Sequence, residues 1–191
     1  MPKPSLTPEV VIVGSFNVDH VWRSDALPPP GATHSGDYAS GPGGKGFNQA
    51  TACARSGAGT AFVCALGKDV GGQLARALAT ADAIDLRDQD CDAPTGTAGI
   101  FVDSQGRNSI VVGPGANALL SADFIEAQQP AIAGAAVTLA QLESPLDTVA
   151  AALRLAREAG RIAMLNPAPA NVALPRELLA LADILTPNET E

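Results

Sequence analysis

Short β-branched, apolar runs alternate along the chain with longer Ala- and Leu-rich stretches at helical spacing. That rhythm is the pattern of βα units in a mainly parallel sheet. It predicts sheet strands at Glu9–Ser15, Thr60–Ala65, Ala135–Ala140, Arg161–Leu165 and Asp183–Leu185, and helices at Phe47–Ser56, Gly71–Ala81, Ala122–Ile132, Pro145–Ala159 and Arg176–Leu181. Ser121 is placed to cap the third helix with Asp123 in its first turn, and Gly57, Gly134 and Gly160 stand where C-terminal glycines belong. Two stretches break the rhythm, residues 20–40 and 98–112. The second reads as a hairpin around Asp103–Asn108, with polar and apolar residues alternating on its flanks. Strands outside the βα alternation imply a small secondary sheet, which beside an α/β body commonly forms a lid over a site at the carboxyl ends of the parallel strands.

Composition narrows the function classes. Twelve Lys plus Arg against 20 Asp plus Glu give a net charge of −8, a field that repels phosphate backbones and anionic lipid surfaces. With 4% aromatic residues there is little for bases to stack on, so no nucleic-acid partner is expected. No apolar run approaches the roughly 20 residues of a membrane span, so a soluble, cytoplasmic, unprocessed protein is expected. Cys53, Cys64 and Cys91 form no CxxC pair and are odd in number, which points to buried thiols and away from a disulfide framework or a zinc site.

The densest chemical signal is Gly41-Pro42-Gly43-Gly44-Lys45-Gly46-Phe47-Asn48, which opens directly into a helix. Its glycines permit positive φ and close backbone approach to a ligand, and the helix start supplies unpaired N–H groups. A glycine-rich turn without a ligand is the plainer alternative. The spacing Gly41-x-Gly43-x-x-Gly46 matches a dinucleotide fingerprint formally but does not follow the first hydrophobic strand, and Lys45 is followed by Gly46 rather than the Ser or Thr of a Walker A loop.

Asn17 and Asp19 lie at the carboxyl end of the first strand and project the same way if extended. An amide beside a carboxylate matches vicinal hydroxyls, so a sugar or polyol suits the pair, although Asn-x-Asp also serves turns and caps. His20 is read as structural. Glu143, again at a strand end before a helix, either accepts from a ligand hydroxyl or acts as a helix N-terminal charge. Asn166-Pro167-Ala168-Pro169 and Thr186–Glu191 also follow strands, so five strand ends converge with polar or glycine-rich segments on one edge.

Together Val10–His20, Gly41–Ala50, Gly115–Ala118, Gln141–Pro145, Leu165–Ala170 and Ile184–Glu191 resemble the ribokinase family of carbohydrate kinases. The resemblance implies a three-layer α/β/α fold with a mainly parallel sheet and a small β lid, residues 1–191 being its N-terminal part. It also implies transfer of the ATP γ-phosphoryl group to the 5-hydroxyl of D-ribose, with Mg2+ and K+ as ions and a homodimer formed through the lid. By family role Asn17, Val18, Asp19, Gly44, Lys45, Gly46, Phe47, Asn48 and Glu143 would contact the sugar. Asn188 would contact the nucleotide, and Glu191 would act indirectly on magnesium and phosphate. The family pattern continues into a Gly-Ala-Gly-Asp segment whose Asp is the catalytic base; the 191 residues do not contain it, so no catalytic residue is assigned here. Two readings follow, the sugar-binding part of a kinase or a truncated, non-catalytic sugar-binding or regulatory module.

Overall fold

The computed structural model describes residues 7–170, 173–189 and 191. Ten strands run in chain order: β1 Val10–Val13, β2 Asn17–Arg23, β3 Asp37–Gly43, β4 Thr60–Gly67, β5 Asp85–Cys91, β6 Gly96–Val102, β7 Asn108–Gly113, β8 Val137–Ala140, β9 Ile162–Leu165 and β10 Ile184–Leu185. The helices are α1 Lys45–Arg55, α2 Val70–Ala81, α3 Ala122–Glu126, α4 Gln129–Gly134, α5 Leu146–Glu158 and α6 Arg176–Leu179, with a 3-10 turn at Gly115–Leu119.

Six strands form a parallel sheet in the order β10-β9-β8-β1-β4-β5. Its central strands are apolar on both faces, because helices cover both. Alternation along β1 and β4 sends Val11, Val13, Ala61, Val63 and Ala65 into the core under α3, α4 and α5. The opposite set, Ile12, Phe62, Cys64 and Leu66, packs with Phe47, Ala50, Ala75 and Ala79 of α1 and α2. This is the expected three-layer arrangement, and it puts every strand's carboxyl end on one edge.

The lid is a four-stranded sheet, β3-β2-β6-β7, in which β2 and β6 are parallel and the outer pairs antiparallel. Its strands begin at Asn17 and Gly96 and end at Gly43 and Gly113, so it is wider than the stretches 20–40 and 98–112. The hairpin loop is fixed by Asp103, whose carboxylate accepts from the backbone N–H groups of Gln105 and Arg107, both at 3.0 Å, and pairs with the Arg107 guanidinium at 2.6 Å.

Three sequence expectations need correction. Strand β5, Asp-Leu-Arg-Asp-Gln-Asp-Cys, was not foreseen because it lacks a hydrophobic run. It is a charged sheet edge tied to α2 by Arg76, whose guanidinium meets Asp88 at 2.5 Å and Asp90 at 2.6 Å. The single helix expected at Ala122–Ile132 is two, because Pro130 lacks an N–H and sits in the first turn of α4. Gly57 and Gly160 do take positive φ at helix ends, at 95° and 67°, whereas Gly134 is the last residue of α4 and does not. Ser121 caps α3 as expected, accepting from the Phe124 N–H at 3.2 Å.

Candidate functional site

The chain leaves β1 through Gly14-Ser15-Phe16 and enters the lid at Asn17, while the other lid edge returns through Gly43-Gly44 into α1. These crossings meet at the carboxyl end of the parallel sheet, where the loop after β8 brings Glu143. Helix α1 has no side-chain cap of its own. Glu143 supplies one from 98 residues away: its Oε2 accepts the Lys45 N–H at 2.9 Å and the Ser15 hydroxyl at 2.5 Å. The helix N-terminal role considered for this acid is the one seen here, with the difference that the helix it caps is α1 and not the α5 that follows it. Oε1 carries no hydrogen bond among the described residues.

Crowding explains the glycines of the loop. Gly44 has φ +90°, and a Cβ there would lie 2.8 Å from Ser15 O and 2.9 Å from Asn17 N. At Gly43 a Cβ would lie 2.2 Å from the Asp19 carboxylate, whereas at Gly41 it would meet nothing within 4 Å. The close backbone approach inferred from sequence is therefore made first to the protein itself, and it lets Asp19 lie flat across β3.

A cavity of about 440 Å³ opens between lid and body, within the roughly 300–1,000 Å³ range of small-molecule sites. Asn17, Val112, Asn117, Glu143 and Ser144 are among the residues that line it. Asp19 is two positions along β2 from Asn17, on the same lid face and half-buried. Burial raises its pKa above the ordinary carboxylate value, the nearby Glu143 charge raises it further, and His20 opposes both.

The remaining expected residues fall into three groups. Val18 points to the other face of β2 and packs against the core beside Gly71, and Phe47 is a core side chain 5.0 Å from the Phe16 ring with its N–H bonded to Ser15 O. Gly44, Lys45 and Gly46 form the start of α1 beneath Asn17, and Asn48, in the first turn, is exposed. Asn188 and Glu191 are outside the cavity, at the sheet's β10 end. There the Asn188 N–H donates to Glu191 Oε2 and the Glu191 N–H donates to Asn188 Oδ1, both at 3.0 Å, the reciprocal pattern of a capping box. His20, read as structural, has its Nδ1 2.7 Å from the Tyr38 hydroxyl on the outer lid face, where Trp22 and Phe101 also stack.

Sequence reasoning missed Asn117, although it lies inside the Gly-Ala-Asn-Ala segment that carried part of the resemblance. It is buried and holds Phe16 by both backbone groups, accepting from its N–H at 3.1 Å and donating to its C=O at 3.0 Å. Also missed was a ladder of amides along the strand ends: Gln141 donates to Gln49, Gln49 to Asn166 at 3.4 Å, and Asn166 to Thr186 O at 2.8 Å. Among the described residues no three His, Cys, Asp or Glu side chains cluster as a metal cage, and no helix is long and apolar enough to cross a membrane.

Comparison with known proteins bears on the fold and the family. The chain is 43% identical over 187 residues to the bifunctional ribokinase/ribose-5-phosphate isomerase A of Fructilactobacillus sanfranciscensis, covering 96% of this chain and 34% of that protein. It is 40% identical to the ribokinase of Haemophilus influenzae, covering 95% of this chain and 60% of that one. The structure of Arabidopsis thaliana ribokinase complexed with ribose and ATP superimposes with a TM-score of 0.82 at 34% identity, covering 97% of this chain and 61% of that one. This chain therefore spans between about a third and three-fifths of the length of these relatives. Residues 7–191 match the family described as pfkB family carbohydrate kinase, and the chain belongs to that family.

Proposed function

We propose that this chain is the sugar-binding part of a ribokinase, which phosphorylates D-ribose to D-ribose 5-phosphate with ATP. The observation that carries the reading is the cavity between lid and body, lined by an amide of the lid, Asn17, and a carboxylate of the body, Glu143, with Asp19 on the same lid face as Asn17. In this reading Asn17 donates to one ribose hydroxyl, while Asp19 and Glu143 accept from others. Glu143 has a second duty, since its negative charge at the α1 N-terminus holds the glycine loop closed beneath the sugar.

The reading leaves chemistry to residues outside the 191. The base that takes the proton from the attacking hydroxyl is, by family resemblance, the Asp of the Gly-Ala-Gly-Asp segment, and positioned donors there stabilise the transferred charge. Magnesium, which offsets charge on the nucleotide phosphates when bound, asks a protein for only one or two carboxylates alongside water and phosphate oxygens. By the resemblance Asn188 would meet the nucleotide and Glu191 would act on the ion indirectly, since Glu191 Oε2 and Asn188 Oδ1 each already accept a backbone N–H. No residues of this chain are assigned to K+. In this reading the protein works in the cytoplasm.

Lid pairing completes the proposal. The lid face that carries Asn17 and Asp19 continues through Val21, Ile100, Ile110 and Val112, of which Ile110 and Val112 are 52% and 49% exposed. A thin sheet with an apolar face and two open edges is stabilised by packing against its twofold copy, giving a homodimer. Light scattering of the complete protein should show a dimer; a monomer at micromolar concentration with ribose present would count against it.

The test of the main reading is calorimetric titration of D-ribose into the wild-type chain and Asp19→Ala. Losing a buried charged acceptor costs about 1.5–3 kcal/mol, so affinity should fall roughly 10- to 150-fold. Equal affinities would remove Asp19 from the site. In a coupled ADP-release assay the 191-residue polypeptide alone should show no ribose-dependent turnover, and robust turnover would overturn the placement of the base outside it.

A further inference from the structure

Asn17 lines the cavity with an amide, and an amide can offer a ligand either its N–H groups or its oxygen. Which of the two it offers decides whether the hydroxyl opposite must accept or donate. The structure fixes the answer through a residue that does not itself need to touch the sugar.

The argument starts from the backbone, whose polarity is not adjustable. Phe16 N–H can only donate and Phe16 C=O can only accept. Asn117 meets both, with Oδ1 at 3.1 Å from the nitrogen and Nδ2 at 3.0 Å from the oxygen, so its amide has a single possible orientation. Nδ2 has one more hydrogen, and 2.9 Å away it finds Asn17 Oδ1. Asn17 must therefore turn its oxygen toward Asn117. Its Nδ2, which has no partner among the described residues, is left for the cavity that Asn17 lines.

The pair is held without slack. Asn117 is 2% and Asn17 4% exposed, and the pair abuts Gly96 on β6, where an added Cβ would lie 2.2 Å from Asn117 Nδ2 and 2.3 Å from Asn17 Oδ1. Asn117 itself is anchored from outside the lid. The Ala116 N–H bonds to Pro94 O at 2.8 Å, and Gln89 on β5 accepts from Ser121 and donates to Leu119 O on the far side of the 3-10 turn. A side chain so placed transmits the rigidity of the parallel body to an amide in the lid.

We propose that Asn117 is a positioning residue that sets the hydrogen-bond polarity of the site, holding Asn17 as a donor toward the cavity. The proposal rests on the sugar-binding reading for its ligand but not for its geometry. Replacing Asn117 by Asp removes the Nδ2 donor while keeping the volume; it also sets a carboxylate oxygen against the Phe16 C=O, a local cost that weakens every sugar alike. Asn17 then turns its own Nδ2 toward the new carboxylate and presents Oδ1, an acceptor, to the cavity.

The experiment measures that inversion. Wild-type and Asn117→Asp chains are titrated with D-ribose and with its singly deoxygenated and singly fluorinated analogues, since fluorine keeps a weak acceptor but cannot donate. For the hydroxyl facing Asn17, deoxygenation strands a buried donor in the wild type and should weaken binding roughly 5- to 150-fold. Fluorine at that carbon should recover part of the loss in the wild type and none of it in Asn117→Asp. A general loosening of the fold would weaken every sugar together and leave the fluoro-to-deoxy ratio unchanged, and that result overturns the proposal. Side-chain amide NMR of the unliganded wild type needs neither a variant nor a sugar. Slow hydrogen exchange at Asn117 Nδ2 with faster exchange at Asn17 Nδ2 is expected, and the reverse order overturns the proposal. Failure of the wild type to bind any pentose, with the NMR order as expected, would instead remove the sugar reading and leave the polarity in place.

Discussion

The parallel body and the lid are both β-sheets built from the same kinds of residue, yet they are stabilised in opposite ways. Every residue of β4 is buried, with helices above and below, whereas every residue of β7 is exposed. The body is held by packing; the lid is held by its ladders, by the Asp103 loop and by its anchorage at the crossings. Catalytic folds gain from such a division, because a rigid edge can fix ligand-binding groups while a lightly buried sheet remains free to take a partner or a new position.

The largest effect that would separate the two regions is a core truncation. Phe62→Ala, at a fully buried ring in the middle of β4, should cost about 3–5 kcal/mol in denaturant unfolding, a large part of a domain's whole stability. If Phe62→Ala unfolded no more readily than a lid variant, the contrast would collapse. Next comes the crossing itself. Gly44→Ala forces a side chain into φ +90° against Ser15 and Asn17, and should cost about 1–3 kcal/mol with a weakened ribose affinity; an unchanged protein would show that the crossing is loose. The smallest effect belongs to the lid surface, where Ile110→Ser should change unfolding by no more than about 0.5 kcal/mol while lowering dimer affinity in light scattering. A large loss of monomer stability would mean the lid has a core of its own.

Acid should separate the regions as well. Burial opposes ionisation of Asp69 most strongly, but hydrogen bonds from the Thr95 hydroxyl and the Gly72 and Thr95 N–H groups outweigh it, and its pKa is lowered. Asp69 ties the start of α2 to the loop that leads into the lid. Its contribution to stability is full above the unfolded value near 3.8 and is lost as pH falls toward the lowered folded value. Asp19 has the opposite sign. Its raised pKa means that protonation favours the folded state as pH falls, while the ionised acceptor proposed for ribose disappears. Ribose affinity should therefore decline at a higher pH than folding stability does, as calorimetry and thermal melts across an acid series would show. Coincident transitions would contradict the assignment of Asp19 to the ligand.

What could be read from sequence follows the same division. The strands of the body and their helices announce themselves because burial on both faces leaves unbroken apolar runs, as in Val10–Val13 and Thr60–Gly67. Strand β5 is an edge whose charges pair with α2, so its signal is tertiary and no local pattern carries it. At the site, Asn17, Asp19 and Glu143 were legible from their strand-end positions and from the family pattern. That Glu143 caps α1 was not, since the partner lies 98 residues away in sequence. Asn117 was hidden for a related reason: its work depends on a backbone 101 residues distant. The glycine loop was legible as a close-approach device, but what approaches it most closely is the chain's own β2 and the segment before it.

The claim on which everything else depends is that pentose binds in the cavity between lid and body. Titration of D-ribose into the isotopically labelled chain, followed by backbone and side-chain NMR, tests it residue by residue. The account predicts saturable shifts centred on Asn17, Asp19, Gly44–Gly46 and Glu143, with α5, α6 and the outer lid residues Trp22 and Tyr38 unmoved. Shifts concentrated away from the crossings, or none at millimolar ribose, would contradict it.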